Sequence, residues 1–323
     1  MEKLAGLAFS CLLLACGGVA GARAQGVPAG QVRIIVPFPA GGTTDILARF
    51  VGQYLGDKLG VIAVIENRAG ASGTIGSEAV AKSPADGSVL LLTATHHVIN
   101  PSLRRNLPYD TQKDFSPIAV VATAPNALVV SKDFPARSVA ELIAMAKREP
   151  GKLSFGSSGI GGANHLSGEL FKQMADIKIE HIPYKGAAPA MNDLIGGHIP
   201  IMFDTLPTVL PAAEGGTIRV LAVTSLQRAA ALPDVPTLDE AGVKGFEATA
   251  WFGLYMPRAE GNPAYLRLVR AMQEILVTPA IREKFATQGV EPGKLTGTEF
   301  AGFVDSEIKK WNAVARAANV PQE

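Results

Sequence analysis

One layout occurs twice in this chain and restricts its fold more than any other feature: a β-branched run, a glycine-rich turn, then apolar residues at helical spacing. The first copy runs from Val32 to Phe38 through Pro39-Ala40-Gly41-Gly42 into a helix whose Ile46, Leu47, Phe50, Val51, Tyr54, Leu55 and Leu59 share one face before Gly60 stops it. The second runs from Leu153 to Gly156 through Ser157-Ser158-Gly159-Ile160-Gly161-Gly162 into a helix over Leu166 to Met174, with Leu166, Leu170, Phe171 and Met174 inward. Further strands at Val61 to Glu66, Val89 to Thr93, Ile179 to Ile182, Ile199 to Phe203 and Ile218 to Thr224 alternate with helices at Ser77 to Lys82, Ser138 to Arg148 and a short one containing Asp193. The C-terminal third reads as helices over Ala264 to Leu276, Pro279 to Gln288 and Glu299 to Ala318. Strand, helix and parallel strand in alternation predict an α/β fold with a largely parallel sheet.

Two extended apolar stretches bounded by Pro or Gly, Pro117 to Val130 and Phe246 to Pro257, read as crossovers between lobes. The first lobe is then discontinuous, 25–123 and 247–323, and the second is 124–246. Two crossings make a hinge, and hinged α/β lobes close over ligands.

Residues 1–24 are expected to form a secretory signal peptide: Lys3, the uncharged stretch Leu4 to Ala22, and Ala22-Arg23-Ala24 as a cleavage pattern that leaves Gln25 first. Leu13-Leu14-Ala15-Cys16 also fits a lipoprotein box, with Cys16 lipidated; either route exports the protein, and the periplasm is the expected location. Cys11 and Cys16 are the only cysteines, so a chain cut at Gln25 has no disulfide, no thiolate nucleophile and no cysteine metal site. A net charge of +1 provides no basic or acidic face for nucleic acid or a membrane surface. A monomer without cofactor or metal is expected.

The turn Pro37 to Asp45 ends a strand and starts a helix that Thr43, Thr44 or Asp45 can cap. Free N–H groups and the dipole at such a helix start suit an anion, and the glycines let a ligand oxygen reach the backbone. An ordinary strand-to-helix turn has the same residues. The segment Phe155 to His165 repeats the layout, so two loops can face each other across a cleft at the C-terminal ends of strands. The candidate ligand-binding residues are Phe38, Ala40, Gly41, Gly42, Thr43 and Asp45 from the first loop, and Ser157, Ser158, Gly161, Gly162, Asn164 and His165 from the second. Thr93 at a strand end, Tyr184 in His181 to Ala190, and Asp204 in Phe203-Asp204-Thr205 complete the set.

Catalytic patterns fit poorly. Gly156-Ser157-Ser158-Gly159-Ile160 misses G-x-S-x-G at its last position, Gly159 to Asn164 misses G-x-G-x-x-G, and neither a nucleotide phosphate loop nor H-E-x-x-H occurs. His96 and His97 are adjacent in a segment read as extended, so their side chains point apart and do not ligate one metal; a hydrogen-bonded cleft or surface position is expected. The alternative to a passive receptor is a periplasmic serine hydrolase using Ser157 or Ser158 with His165 and Asp204.

Taken in order, several segments resemble the Bug-type family, the periplasmic solute receptors of tripartite tricarboxylate transporters. They are Pro37 to Asp45 with Ala48-Arg49, Glu66-Asn67-Arg68 with Gly70, Gly73 and Gly76, Asp86-Gly87, Asn100-Pro101, Gly156 to Leu166, Tyr184-Lys185-Gly186 with Pro189-Ala190, Phe203-Asp204, Leu221 to Thr224 and Pro233 to Thr237. The resemblance spans nearly all of the chain after residue 24. It implies a two-lobed periplasmic-binding-protein fold, type II-like, with a small carboxylate (a dicarboxylate, an amino acid or an aromatic acid) held between the lobes. The partners it implies are membrane transporter subunits or a membrane sensor. It also implies that Gly162 and Ala163 stand where relatives often carry hydroxyls, which leaves room for a bulkier, less polar ligand.

Overall fold

The computed structural model describes the backbone of residues 30–317 and the side chains of residues 30–313. The expected signal peptide with Cys11 and Cys16 lies outside the described residues, as does Ala318. In chain order the elements are β1 (Gln31–Val36), α1 (Thr43–Leu59), β2 (Ile62–Asn67), a 3-10 turn (Ala71–Gly73), α2 (Thr74–Ala81), β3 (Val89–Ala94), α3 (His96–Leu103), β4 (Phe115–Ser131), α4 (Val139–Arg148) and β5 (Ser154–Ser157). There follow α5 (Ala163–Ala175), β6 (Glu180–Pro183), α6 (Ala187–Ile195), β7 (Ile201–Thr205), α7 (Leu206–Glu214), β8 (Ile218–Val223), β9 (Thr249–Pro257), α8 (Pro263–Leu276), α9 (Pro279–Ala286), β10 (Glu291–Pro292) and α10 (Gly297–Ala317).

The strands form two α/β lobes that share β4. On one side β2, β1 and β3 run parallel, and β9 lies antiparallel between β3 and β4. On the other, β6, β5 and β7 run parallel, and β7 and β8 pair with the far end of β4. Residues Phe115 to Pro125 of β4 pair with β9, and Asn126 to Ser131 pair with β7 and β8. The sheet is mixed rather than largely parallel, because one connecting strand leaves the first lobe and the other returns to it. Thr224 ties the two connections together: its hydroxyl accepts from the Asn126 N–H at 2.7 Å and donates to the Ala248 carbonyl at 2.6 Å.

Successive strand residues face opposite sides of a sheet, and both sides are covered. Ile34 packs with Leu47, Val51, Met272 and Phe285 on one side of the first sheet. Ile35 packs with Leu91, Tyr255 and Phe300 on the other. In the second lobe Leu128 and Val130 face Phe155, Phe171 and Phe203, while Ala127 and Val129 face Met202 and Val209. Each such side chain taken fully out of water contributes about 1.5–3 kcal/mol. Among the described residues no helix is long and apolar enough to cross a membrane.

Three features depart from the sequence reading. The segment at His96-His97 is the helix α3, not an extended run; Pro101 inside it disguised the pattern, although the helix holds Asn100 by a 3.1 Å bond from its side chain to the Ser72 carbonyl. On a helix, neighbours differ by about 100°, so His96 faces the cleft and His97 the aromatic core of Tyr109, Phe115 and Tyr255. The helix α7 follows directly on Phe203-Asp204-Thr205 at the end of β7; its Pro207 lies in the first turn, where no N–H is needed. Met174 is 38% exposed, and Phe171 and Ala175 fill the core positions of α5 instead.

Candidate functional site

A cavity of about 40 Å³ lies between the lobes, and five helices begin at it. It takes Gly42, Thr43 and Thr44 from the start of α1, Thr95 and His96 from α3, Ala163 and Asn164 from α5, Ala187 from α6 and Thr205 from α7. None of these five N-termini has a side-chain cap. Helices α4, α8 and α9 start elsewhere, and Ser138, Asn262 and Thr278 cap them. Helix α2, set behind the 3-10 turn, is uncapped and does not reach the cavity. The first N–H groups of a helix have no intrahelical acceptor and carry the positive end of its dipole. Five such ends make the space around them electropositive without any Lys or Arg in the lining, where Asp204 is the one acidic side chain.

The turn before α1 is built to leave those amides free. The N-cap is Gly42, so none of Thr43, Thr44 and Asp45 caps the helix as expected. The Thr43 hydroxyl instead meets the Thr205 hydroxyl of the other lobe at 2.6 Å. Asp45 turns back to accept the Gly41 N–H at 3.1 Å, and Arg49 and Asn67 hold it at 3.0 Å each. Burial alone would raise its carboxyl; the hydrogen bonds from Arg49, Gly41 and Asn67 outweigh burial and keep it below the ordinary value. Asn67 also donates to the Phe38 carbonyl at 3.0 Å, which fixes the end of β1.

The opposite wall is a chain of hydrogen bonds. Ser158 donates to the Asn164 side-chain oxygen at 2.8 Å, and the Asn164 amide donates to Asp204 at 2.7 Å. Asp204 also accepts the Thr205 N–H at 2.8 Å and the Thr208 hydroxyl at 2.5 Å. Burial nevertheless pushes its carboxyl up to about 6. A raised carboxyl favours the protonated folded state, so its stabilisation is full below pH 3.8 and is lost as pH rises through about 6. Buried His96 and His97 and half-buried His181, held down by desolvation to about 4, 3 and 3, act the other way and remove stability as pH falls below 6.5. The Asp204 effect is therefore read as a difference. The unfolding free energy of the wild type minus that of Asp204→Asn is expected to fall between about pH 4 and pH 6.5, on a scale of about 3 kcal/mol. A difference that does not vary with pH would return the carboxyl to its ordinary value.

Of the residues singled out from sequence, Phe38, Gly42, Thr43, Ser158, Asn164 and Asp204 line the cavity. Ala40 and Gly41 are exposed at its lip, where Gly41 has φ +83° and faces Ala188 of the other lobe. Thr93 is buried in β3 beside the lining residue Ala94. Asp45, Ser157, Gly161, Gly162 and His165 stand behind the wall. The Ser157 hydroxyl meets His181 at 2.7 Å, and His165 accepts the Gly161 N–H at 3.2 Å and stacks on His181 at 4.0 Å. Tyr184 donates to Asp193 at 2.7 Å, away from the cavity. The hydrolase set is thus not assembled: Ser157 pairs with His181, and Ser158 and Asp204 both pair with Asn164 rather than with His165.

The candidate set lacked Pro39, Thr44, Ala94, Thr95, Ala163, Ala187, Thr205, Ala250 and Phe252, and His96, expected as a hydrogen-bonded cleft or surface residue, is in the cleft but has no side-chain partner. Thr205, Ala250 and Phe252 lay inside segments already marked, whereas the side His96 faces needed α3 to be recognised. The room expected at Gly162 is taken: an ideal Cβ there would overlap the His96 ring, which reaches across from the first lobe.

Comparisons with known proteins agree with this architecture. The family described as "Tripartite tricarboxylate transporter family receptor" matches residues 47–320. Protein BugT of Bordetella pertussis is 37% identical over 313 residues, spanning 96% of this chain and 96% of that protein. The structure of an R. palustris protein with adipate is similar with a TM-score of 0.88 at 39% identity, over 92% of this chain and 99% of that one. MatC from Rhodopseudomonas palustris, with bound malate, gives a TM-score of 0.82 at 29% identity, over 89% and 99% of the two chains.

Proposed function

We propose, from the premise that the chain belongs to the tripartite tricarboxylate transporter receptor family, that it captures a small carboxylate between its lobes and delivers it to the membrane subunits of such a transporter. The observation that carries this reading is the convergence of five uncapped helix N-termini on one cavity that no Lys or Arg lines. Fixed amide dipoles solvate an anion without the reorganisation a flexible cation needs. Relatives solved with adipate and malate support a carboxylate as the anion. The lobes would be 25–123 with 247–323, and 124–246; the transfer of β4 pairing from β9 to β7 and β8 at Pro125-Asn126 supports that division. A monomer working in the periplasm after removal of residues 1–24 completes the proposal. The ligand would lie against Phe38, Gly42, Thr43, Ser158, Asn164 and Asp204, with Thr44, Thr95, His96 and Thr205 beside them.

The test is a thermal-shift screen against small carboxylates, with phosphate and sulfate as controls. A ligand that binds only the folded protein raises the melting temperature by mass action. A dose-dependent rise with carboxylates and no product formed is expected; no rise with any of them removes the proposal. Closure is expected to depend on the hydroxyl pair between the lobes. Thr43→Val keeps the shape and loses one hydrogen bond, so carboxylate affinity should fall by about fivefold, the scale of ~1 kcal/mol. Unchanged calorimetric affinity would show that the Thr43–Thr205 contact does not contribute to closure.

A further inference from the structure

We infer that His96 reads the far end of the bound carboxylate, so that the ligand carries a second hydrogen-bonding group and purely alkyl or aryl acids are rejected; this rests on the carboxylate reading above. His96 is only 3% exposed yet lines the cavity. Neither of its ring nitrogens has a protein partner. Of the other polar side chains in the wall, Thr43, Thr95, Ser158, Asn164, Asp204 and Thr205 are hydrogen-bonded. A buried polar group left without a partner costs ~1–3 kcal/mol, a cost that a hydrogen bond from the ligand would offset.

The position of the ring is built from both lobes. Phe38 packs on it with centroids 5.0 Å apart and planes inclined by 52°. On the other side stands Gly162 with φ −82° and ψ 162°, extended backbone that any residue adopts. A Cβ there would nonetheless overlap Nε2 and Cε1 of His96. The imidazole, not the backbone, therefore sets the glycine at 162: the second lobe gives up a side chain to admit one from the first. His97 also has two unpaired nitrogens, but it is enclosed by Tyr109, Phe115 and Tyr255 and does not reach the cavity. Among the described residues with buried, unpartnered side-chain nitrogen or oxygen, His96 is the one that lines the ligand space.

The group offered there is neutral. Burial, with a smaller effect from His165, lowers the His96 pKa to about 4. Near neutral pH the ring therefore presents one N–H donor and one lone pair. Among the lining residues Phe38, Ala94, Ala163 and Phe252 offer only apolar side chains. A site built to hydrogen-bond a ligand group rejects the analogue that lacks it far more strongly than an apolar pocket rejects an extra methylene.

Calorimetry with two matched series tests this: hexanoate, adipamate and adipate, and toluate, terephthalamate and terephthalate. In at least one series, the wild type should bind an amide- or carboxylate-ended acid about tenfold or more tightly than its methyl-ended analogue. His96→Phe, which keeps the ring and removes both nitrogens, should reduce that ratio to about twofold or less, and His96→Gln should retain part of it. Equal binding of methyl-ended acids by the wild type, or an unchanged ratio in His96→Phe, overturns the inference and leaves the carboxylate reading standing. Failure of all six acids overturns both. A fold defect in His96→Phe is separated by a second pair of variants. Gly162→Ala should lose binding in the His96 protein and regain it when combined with His96→Ala; loss in both backgrounds overturns the pairing.

Discussion

Replacing Ala163 with aspartate is expected to abolish carboxylate capture while leaving the protein folded. Ala163 opens α5, is partly exposed and lines the cavity. An aspartate there is well placed for the helix, since a negative side chain in the first turn gains about 0.3–1 kcal/mol from the dipole. The same carboxylate would occupy the electropositive space and meet the ligand's charge with no Lys or Arg in the wall to moderate it. Two like charges about 4 Å apart at an effective dielectric of about 20 repel by about 4 kcal/mol. Affinity should fall more than about 100-fold, with the melting temperature of the free protein unchanged or raised. Ala163→Asn adds nearly the same volume without charge, and its loss should stay near tenfold. If Ala163→Asp keeps its affinity to within tenfold of the wild type, the helix N-termini are not what holds the anion.

The largest effect on stability is expected at Gly293. It follows β10 and donates its N–H to the Val121 carbonyl at 2.9 Å. A Cβ at this position would overlap the Val120 carbonyl. That oxygen belongs to the middle of β4, held between β9 and the returning chain, and Val120 in turn donates to Leu295 at 2.9 Å. Neither backbone can yield without breaking strand pairing, so Gly293→Ala should cost about 3 kcal/mol, the upper range for overpacking. Gly302 supplies the control. It lies inside α10 with nothing near the site of a Cβ, and Gly302→Ala should stabilise by about 0.5–1 kcal/mol. Urea midpoints of the two variants should move in opposite directions. A Gly293→Ala midpoint equal to that of the wild type would mean that β4 and β10 can separate at little cost.

Much of this was legible because apolar spacing fixes faces. The periodic residues of the first helix place Leu47, Val51 and Leu55 in the core as expected. The extended run Pro117 to Val130 is indeed one strand shared by both sheets. The candidate site was legible where a strand ran into glycines, which is how Gly42, Thr43 and Asn164 were found. It was illegible where the deciding contact joins distant segments. Nothing local decides between cleft and surface for His96: Pro101 hides its helix, and its partner is the absence of a side chain at Gly162. Thr43 and Asp45 looked equally able to cap α1. Only the tertiary partners, Thr205 for one and Gly41 with Arg49 for the other, distinguish them.

The central place of β9 has a consequence for synthesis. It fills the slot between β3 and β4, yet its sequence follows the entire second lobe. A growing chain therefore carries β3 and β4 with open, apolar edges until Pro257 has emerged, and open edges are templates for pairing with other chains. The strand partners of residues 126–223 lie within that segment, so they can pair before β9 has emerged. Completion of the first lobe is a late, long-range loop closure, slow by its topology. The segment preceding β9 thus acts as both half of the clamp and the tether that determines when the other half can fold, and an unfolded-chain holdase has most to protect in that interval.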